Sequence, residues 1–239
     1  MARARGRIDR DARVAAFVRA IAAANPPPPL RNPYRQPVAA RNLELFLRRR
    51  DPTASTILLV GEAPGHRGAA LSGVPFTSLA ILLGEGDPWG AFGAAAGYVC
   101  PPGVPCTAEA TARVVWDGLA EAFGDVDLPL TWNAVPAHPA GPTACSNSNV
   151  TVSQIALGRP WLEWILEFAP NARVVAAGRA GERALRGIGV SAPALRHPSH
   201  GGARVFRDGL LAVRARRPVS PGGTRDRWRE TALAESDRS

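Results

Sequence analysis

Between residues 9 and 24 the apolar positions Val14, Phe17, Val18 and Ile21 recur at helical spacing, and the pattern stops at Asn25 and the run Pro26–Pro29. The proline run reads as an extended connector lying over the domain, not as a boundary between two domains. A second helix is predicted over 38–50, with Leu43, Phe46 and Leu47 turned inward. Arg48–Arg50 fall at its C-terminal end, where cations complement the helix dipole. Four short apolar runs then read as strands: Thr56–Val60, Leu128–Trp132, Ala172–Ala176 and Pro193–Arg196. Helical segments are predicted at 76–83, 108–123, 160–169 and 179–187. This alternation predicts an α/β fold with a parallel sheet covered on both faces. The stretch 84–107, rich in Gly and Pro, reads as a long surface insertion, and the tail beyond Pro218 as one amphipathic helix. The expected organisation is an arginine-rich helical arm over 1–50 packed on the domain, an α/β domain over 51–217 and a C-terminal tail over 218–239.

Three of the apolar runs end in polar loops: Gly61-Glu62-Ala63-Pro64-Gly65-His66, Asn133-Ala134-Val135 and Arg196-His197-Pro198-Ser199. Open α/β sheets place ligands at the carboxyl ends of their strands. A carboxylate, an amide and an imidazole meeting there could hold a flat heterocycle and help cleave its glycosidic bond. The Gly-rich loop is not a Walker loop, because the Gly-Lys-Ser/Thr ending is absent. Nor do its glycines have dinucleotide-binding spacing. Each motif taken alone also has a plainer reading: Glu62 as a loop cap, Asn133 as a turn residue, Phe76 as core packing, His197 as a surface residue.

Composition sharpens the choice of partner. All 29 basic residues are Arg, and the formal net charge is +9. Residues 1–50 hold 12 Arg against three acids, residues 51–170 hold 3 against 11, and residues 171–217 hold 10 against two. A high-GC genome accounts for Arg over Lys but not for this segregation of sign. Basic segments at the N-terminus and around His197 suit a polyanion such as DNA, whose phosphates dominate affinity. No apolar run approaches the ~20 residues of a membrane span. The basic N-terminus lacks the apolar stretch of a secretory signal, so a cytoplasmic location is expected. Cys100, Cys106 and Cys145 cannot form a closed disulfide framework and fit a reducing compartment.

Taken in order, these motifs resemble those of the uracil-DNA glycosylase superfamily. Gly61-Glu62-Ala63-Pro64-Gly65 followed by Gly73-Val74-Pro75-Phe76-Thr77-Ser78 is similar to its first motif. Asn133-Ala134-Val135 resembles the base-recognition strand end, and His197-Pro198-Ser199 the His-Pro-Ser loop. Arg159-Pro160-Trp161-Leu162 and Arg173–Gly178 resemble the intervening helix and strand, so that the likeness spans roughly residues 33–215. The resemblance implies a three-layer α/β/α sandwich around a four-stranded, mainly parallel sheet. It also implies removal of uracil from an extruded nucleotide.

Roles follow from it residue by residue. Phe76 is expected to stack on the base and Ala63 to lie against it. Asn133 reads the Watson–Crick edge, accepting from N3–H and donating to O4, a pattern that cytosine reverses. His197 donates to O2 of the departing anion. Glu62 orients the water and favours the cationic sugar, with His66 as second candidate. Ser199, His200 and Arg204 are expected on the DNA backbone, and residues 201–206 to contain a wedge, with Val205 and Phe206 as members. Gly65 leaves open whether the thymine methyl is rejected. No metal or other cofactor is expected: relatives with an iron–sulfur cluster use four cysteines, whereas this chain has three and carries Gly158 where those relatives have a ligand. With no Lys for a Schiff base, a monofunctional enzyme acting as a monomer is expected. Two rivals stand beside this reading: a glycosylase for hypoxanthine or xanthine, and a lesion-binding protein without turnover, which Ala63 favours.

Overall fold

The computed structural model describes residues 2–51, 54, 56–87, 89–105, 108–125, 127–143, 145–199 and 201–215, with side chains from residue 8 onward. In chain order the elements are α1 (Ala2–Ala23), β1 (Leu30–Arg31), α2 (Pro37–Arg48), β2 (Ile57–Gly61), α3 (Ala69–Ser72), α4 (Leu79–Leu82) and α5 (Ala110–Phe123). There follow β3 (Leu130–Asn133), β4 (His138–Pro139), α6 (Val152–Leu157), α7 (Arg159–Phe168), β5 (Arg173–Ala177), α8 (Gly178–Gly187), β6 (Ala194–Leu195) and α9 (Ala203–Ala215). The predicted tail helix and Cys106 lie outside the described residues.

Strands β3, β2, β5 and β6 form one sheet in that order, and every pairing in it is parallel. All five residues of β2 and all four of β3 are buried, which requires cover on both faces of the sheet. The result is the expected α/β/α sandwich. Its single core cluster runs from Val14 on α1 to Val213 on α9, so the N-terminal helices share the core of the sheet. Phe17 anchors α1: its ring stacks on Trp164 at 3.9 Å and meets Trp132 and Trp161 at 5.7 and 5.8 Å. On α8, a Cβ at Gly181 would lie 2.2 Å from the Val60 carbonyl oxygen, so glycine is what lets this helix pack directly on β2.

The structure departs from the expected elements in several places: α3, α6 and α9 were not predicted, and α1 begins at Ala2 rather than near residue 9. The connector after the prolines is not merely extended, for Leu30–Arg31 pairs antiparallel with His138–Pro139. Two-residue strands carry no periodicity to read. The helix predicted from residue 76 begins at Leu79, because Phe76 adopts φ 59° and Ser78 caps the helix, accepting from the Ile81 N–H at 3.4 Å. Arg50, just beyond α2, is 4% exposed, its guanidinium 3.8 Å from the centre of the Phe46 ring. Burial pushes that guanidinium down to about 9.

Candidate active site

Parallel pairing brings the first two motifs together at the carboxyl edge of the sheet. Gly61 is the register partner of Asn133. Beyond the strands, Ala134 N–H donates to the Gly61 carbonyl at 2.8 Å and Val135 N–H to the Glu62 carbonyl at 2.9 Å. The Phe76 ring lies against Gly61 so closely that a Cβ there would come within 2.2 Å of its Cζ. Phe76 is the only non-glycine residue with positive φ among the described residues. Backbone strain of this kind costs about 1–3 kcal/mol and persists only where the surroundings enforce it. Here they do. Trp116 Nε1–H donates to the Phe76 carbonyl at 3.1 Å, Thr131 Oγ1 to the Pro75 carbonyl at 2.9 Å, and Ser72 Oγ to the Thr77 carbonyl at 2.6 Å.

Asn133 is 3% exposed, and its Nδ2 has no hydrogen-bond partner. An unmet buried donor costs about 1–3 kcal/mol unless a ligand supplies the acceptor. Glu62 is half-buried, and its Oε1 accepts from the Val150 N–H at 3.3 Å. Ala63 is half-buried against the core. At the far end of the same loop, His66 meets Asn147 Oδ1 through its backbone N–H at 3.0 Å and its ring Nδ1 at 3.1 Å.

The third motif follows β6. His197 Nδ1 accepts from the Ser199 N–H at 3.2 Å and lies 2.7 Å from Ser199 Oγ. A backbone N–H cannot meet a protonated Nδ1, so the neutral ring carries its hydrogen on Nε2 and is a donor there. Ser199 therefore supports the imidazole, a role beyond the phosphate contact expected from the sequence. Opposite, Gly178 has φ 85°, and a Cβ on it would sit 3.4 Å from His197 Cβ.

An open cleft of about 460 Å³ runs beside His197, lined by Gly178, Arg179, Leu195, Arg196 and Ser199 among others. Glu62, Phe76 and Asn133 do not line it. The candidate residues thus share one sheet edge rather than one enclosed cavity. Arg204, on the first turn of α9, is highly exposed and lies 3.8 Å from Asp208. His200 lies outside the described residues. Of the two wedge candidates, Phe206 is fully buried in the core and is ruled out as a wedge, while Val205 is 51% exposed.

Sequence reasoning missed the segment from His138 to Val150. His138 is 9% exposed, and its Nδ1 lies 2.9 Å from the Pro64 carbonyl, which makes Nδ1 the protonated nitrogen of the neutral ring. Burial pushes its pKa down; the Pro64 carbonyl opposes that shift, and His66 and Arg31 add to it. With Asn147 and the Val150 N–H, this segment grips the first-motif loop at three points. Only the His-Pro pair soon after Asn-Ala-Val could have signalled it.

A family model described as the uracil DNA glycosylase superfamily matches residues 49–219, most of the chain. The chain belongs to that superfamily. With membership comes its general activity, glycosylase chemistry on DNA. A crystal structure of wild-type SMUG2 from Pedobacter heparinus has the same fold, with TM-score 0.59 and 16% identity over 84% of this chain and 96% of that one. Among curated proteins, none matches the sequence. The glycosylase's own residues do not fit an iron–sulfur cluster. The whole chain has three cysteines, and a Cβ at Gly158 would lie 1.7 Å from the Ala134 carbonyl oxygen. Among the described residues, no helix is long and apolar enough to cross a membrane.

Proposed function

We propose that this glycosylase removes uracil from DNA by hydrolysing the N-glycosidic bond, and that it leaves an abasic site without cutting the strand. The observation that carries the reading is Asn133, buried at the end of β3 with an unmet amide donor. A carbonyl at the position of uracil O4 meets that donor, whereas the amino group of cytosine repels it. Across the sheet edge, Asn133 and the end of β6 are three strands apart, roughly 14 Å at the usual inter-strand spacing.

Phe76, locked over Gly61, supplies the stacking surface, and Ala63 lies against the base. As the C1′–N bond lengthens, its electron pair passes to the base and the sugar becomes cationic. His197 meets the developing anion at O2 with its Nε2–H, as a neutral donor. The Glu62 carboxylate, tethered through Oε1 to the Val150 N–H, favours the cation and orients the water, with His66 the second candidate. Ser199, His200 and Arg204 are assigned to the DNA backbone, and Val205 is the remaining wedge candidate. The chain has no Lys, so no lysine Schiff base is available for strand scission. We further assign it as a cytoplasmic monomer without cofactor.

Gly65 favours a second reading. A Cβ there would meet nothing nearer than Asn147 Nδ2 at 3.9 Å, so no neighbour crowds this position, and a glycosylase for hypoxanthine or xanthine is the alternative. One gel separates these possibilities, using oligonucleotides with uracil, hypoxanthine, xanthine or a thymine mismatch, each with and without alkali. Alkali-dependent breakage of the uracil strand is the expected result. Breakage without alkali would refute a monofunctional enzyme. DNA binding with no base release from any lesion would support the non-catalytic alternative.

A further inference from the structure

The segment between β4 and α6 does more than hold the first-motif loop in place, because one of its contacts sets a ring tautomer. Asn147 Oδ1 accepts from the His66 backbone N–H at 3.0 Å and lies 3.1 Å from the ring Nδ1. The backbone donor fixes which end of the amide faces the ring. An amide oxygen has no proton to give, so the ring contact is a hydrogen bond only when Nδ1 carries the hydrogen. Neutral His66 is then an Nδ1–H imidazole whose Nε2 presents a lone pair. His197 is set the opposite way, with its Nδ1 accepting and its Nε2–H donating. The candidate residues at the sheet edge thus include one imidazole set to accept and another set to donate, the two functions that hydrolysis with an anionic leaving group requires.

Asn147 is itself fixed in place. It bridges Ala140 in antiparallel fashion, and its neighbour Ser148 bonds the Pro139 carbonyl through N–H at 2.8 Å and the Ala140 carbonyl through Oγ at 2.9 Å. We propose that Asn147 is a positioning residue that holds His66 as the Nδ1–H tautomer, so that Nε2 accepts the proton of the attacking water. The proposal rests on the glycosylase reading above. The C1′–N bond breaks with its electron pair going to the base, and the water oxygen bonds C1′. The released proton passes to His66 Nε2, while Asn147 Oδ1 stabilises the resulting imidazolium through Nδ1–H.

Two measurements on the full chain test this. Nitrogen-15 spectra of the histidine rings report the tautomer without any activity. They are expected to show His66 protonated at Nδ1 in the wild type and in Asn147→Asp, which keeps the acceptor, and to shift toward Nε2–H in Asn147→Ala. Single-turnover base release should fall about fivefold in Asn147→Ala, the weight of one neutral hydrogen bond, with DNA affinity unchanged. In a His66→Ala background the same substitution should have no further effect. An Nε2–H wild-type ring, or an equal slowing in both backgrounds, would overturn the proposal. The expected tautomer combined with no base release from any lesion would overturn the glycosylase reading and the proton-transfer step, while the tautomer assignment would stand.

Discussion

Adding one methyl group at Gly61 should disable the site without touching a residue assigned to the chemistry. A Cβ at this position would lie 2.2, 2.8 and 3.0 Å from Cζ, Cε2 and Cε1 of the Phe76 ring. To regain a 3.4 Å contact the ring must retreat by roughly 1.2 Å. Its backbone cannot follow, because Trp116, Thr131 and Ser72 hold the carbonyls of residues 75–77. Overpacking of this kind costs about 1–3 kcal/mol of stability. The larger effect falls on turnover, since an aromatic platform contributes about 1–3 kcal/mol per stacked base. At 1.36 kcal/mol per decade, Gly61→Ala should lower single-turnover release of uracil by about tenfold to a hundredfold. The assay is release from a uracil oligonucleotide at saturating enzyme, alongside a thermal melt to confirm folding. In a Phe76→Leu background, where no ring opposes the methyl, Gly61→Ala should cost little more. Wild-type turnover in Gly61→Ala at an unchanged melting temperature would refute the claim that Phe76, pressed on Gly61, carries the base.

Other outcomes follow from the same geometry. Asn133→Asp replaces the unmet donor with an acceptor, so uracil release should fall about tenfold to a hundredfold while the uracil-to-cytosine preference narrows; an unchanged preference would remove Asn133 from recognition. His197→Ala should lower turnover about a hundredfold to a thousandfold with little change in DNA affinity, and equal losses in both would make His197 a binding residue only. The depressed pKa of His138 gives a pH signature. Between its folded value and the ordinary 6.5, the unfolded chain binds more protons, so stability is full above that window and declines as pH falls through it. His138→Gln, which keeps a donor for Pro64, should flatten that decline in urea midpoints measured from about pH 5 to 8. Parallel curves for variant and wild type would place the linkage elsewhere.

Strong local signals carried much of this protein into view from its sequence. The apolar runs around Ile57–Val60 and Val174–Ala176 could only be strands of a covered sheet, and the loops after them had to emerge at its carboxyl edge. Part of what was misread had no local signal, although Phe206, Leu210 and Val213 of α9 do recur at helical spacing. The helix expected from residue 76 shortens to Leu79–Leu82, because contacts from Trp116 and Thr131, remote in sequence, hold Phe76 in a left-handed turn. Phe206 looked available as a wedge until the packing of α9 buried it.

The order and chemistry of the three motifs, the sign segregation of charge and the absence of Lys belong to the sequence alone. They gave the family resemblance, the fold class and the residue types at stake. Tertiary structure alone decided the unmet amide at Asn133, the contact of Ser199 with His197 Nδ1, and the grip of His138, Asn147 and Val150 on the first-motif loop. The division has a physical cause. Periodicity and turn chemistry are local properties of the chain, whereas burial and a hydrogen bond's far partner exist only once residues some 80 positions apart are brought within 3 Å of each other.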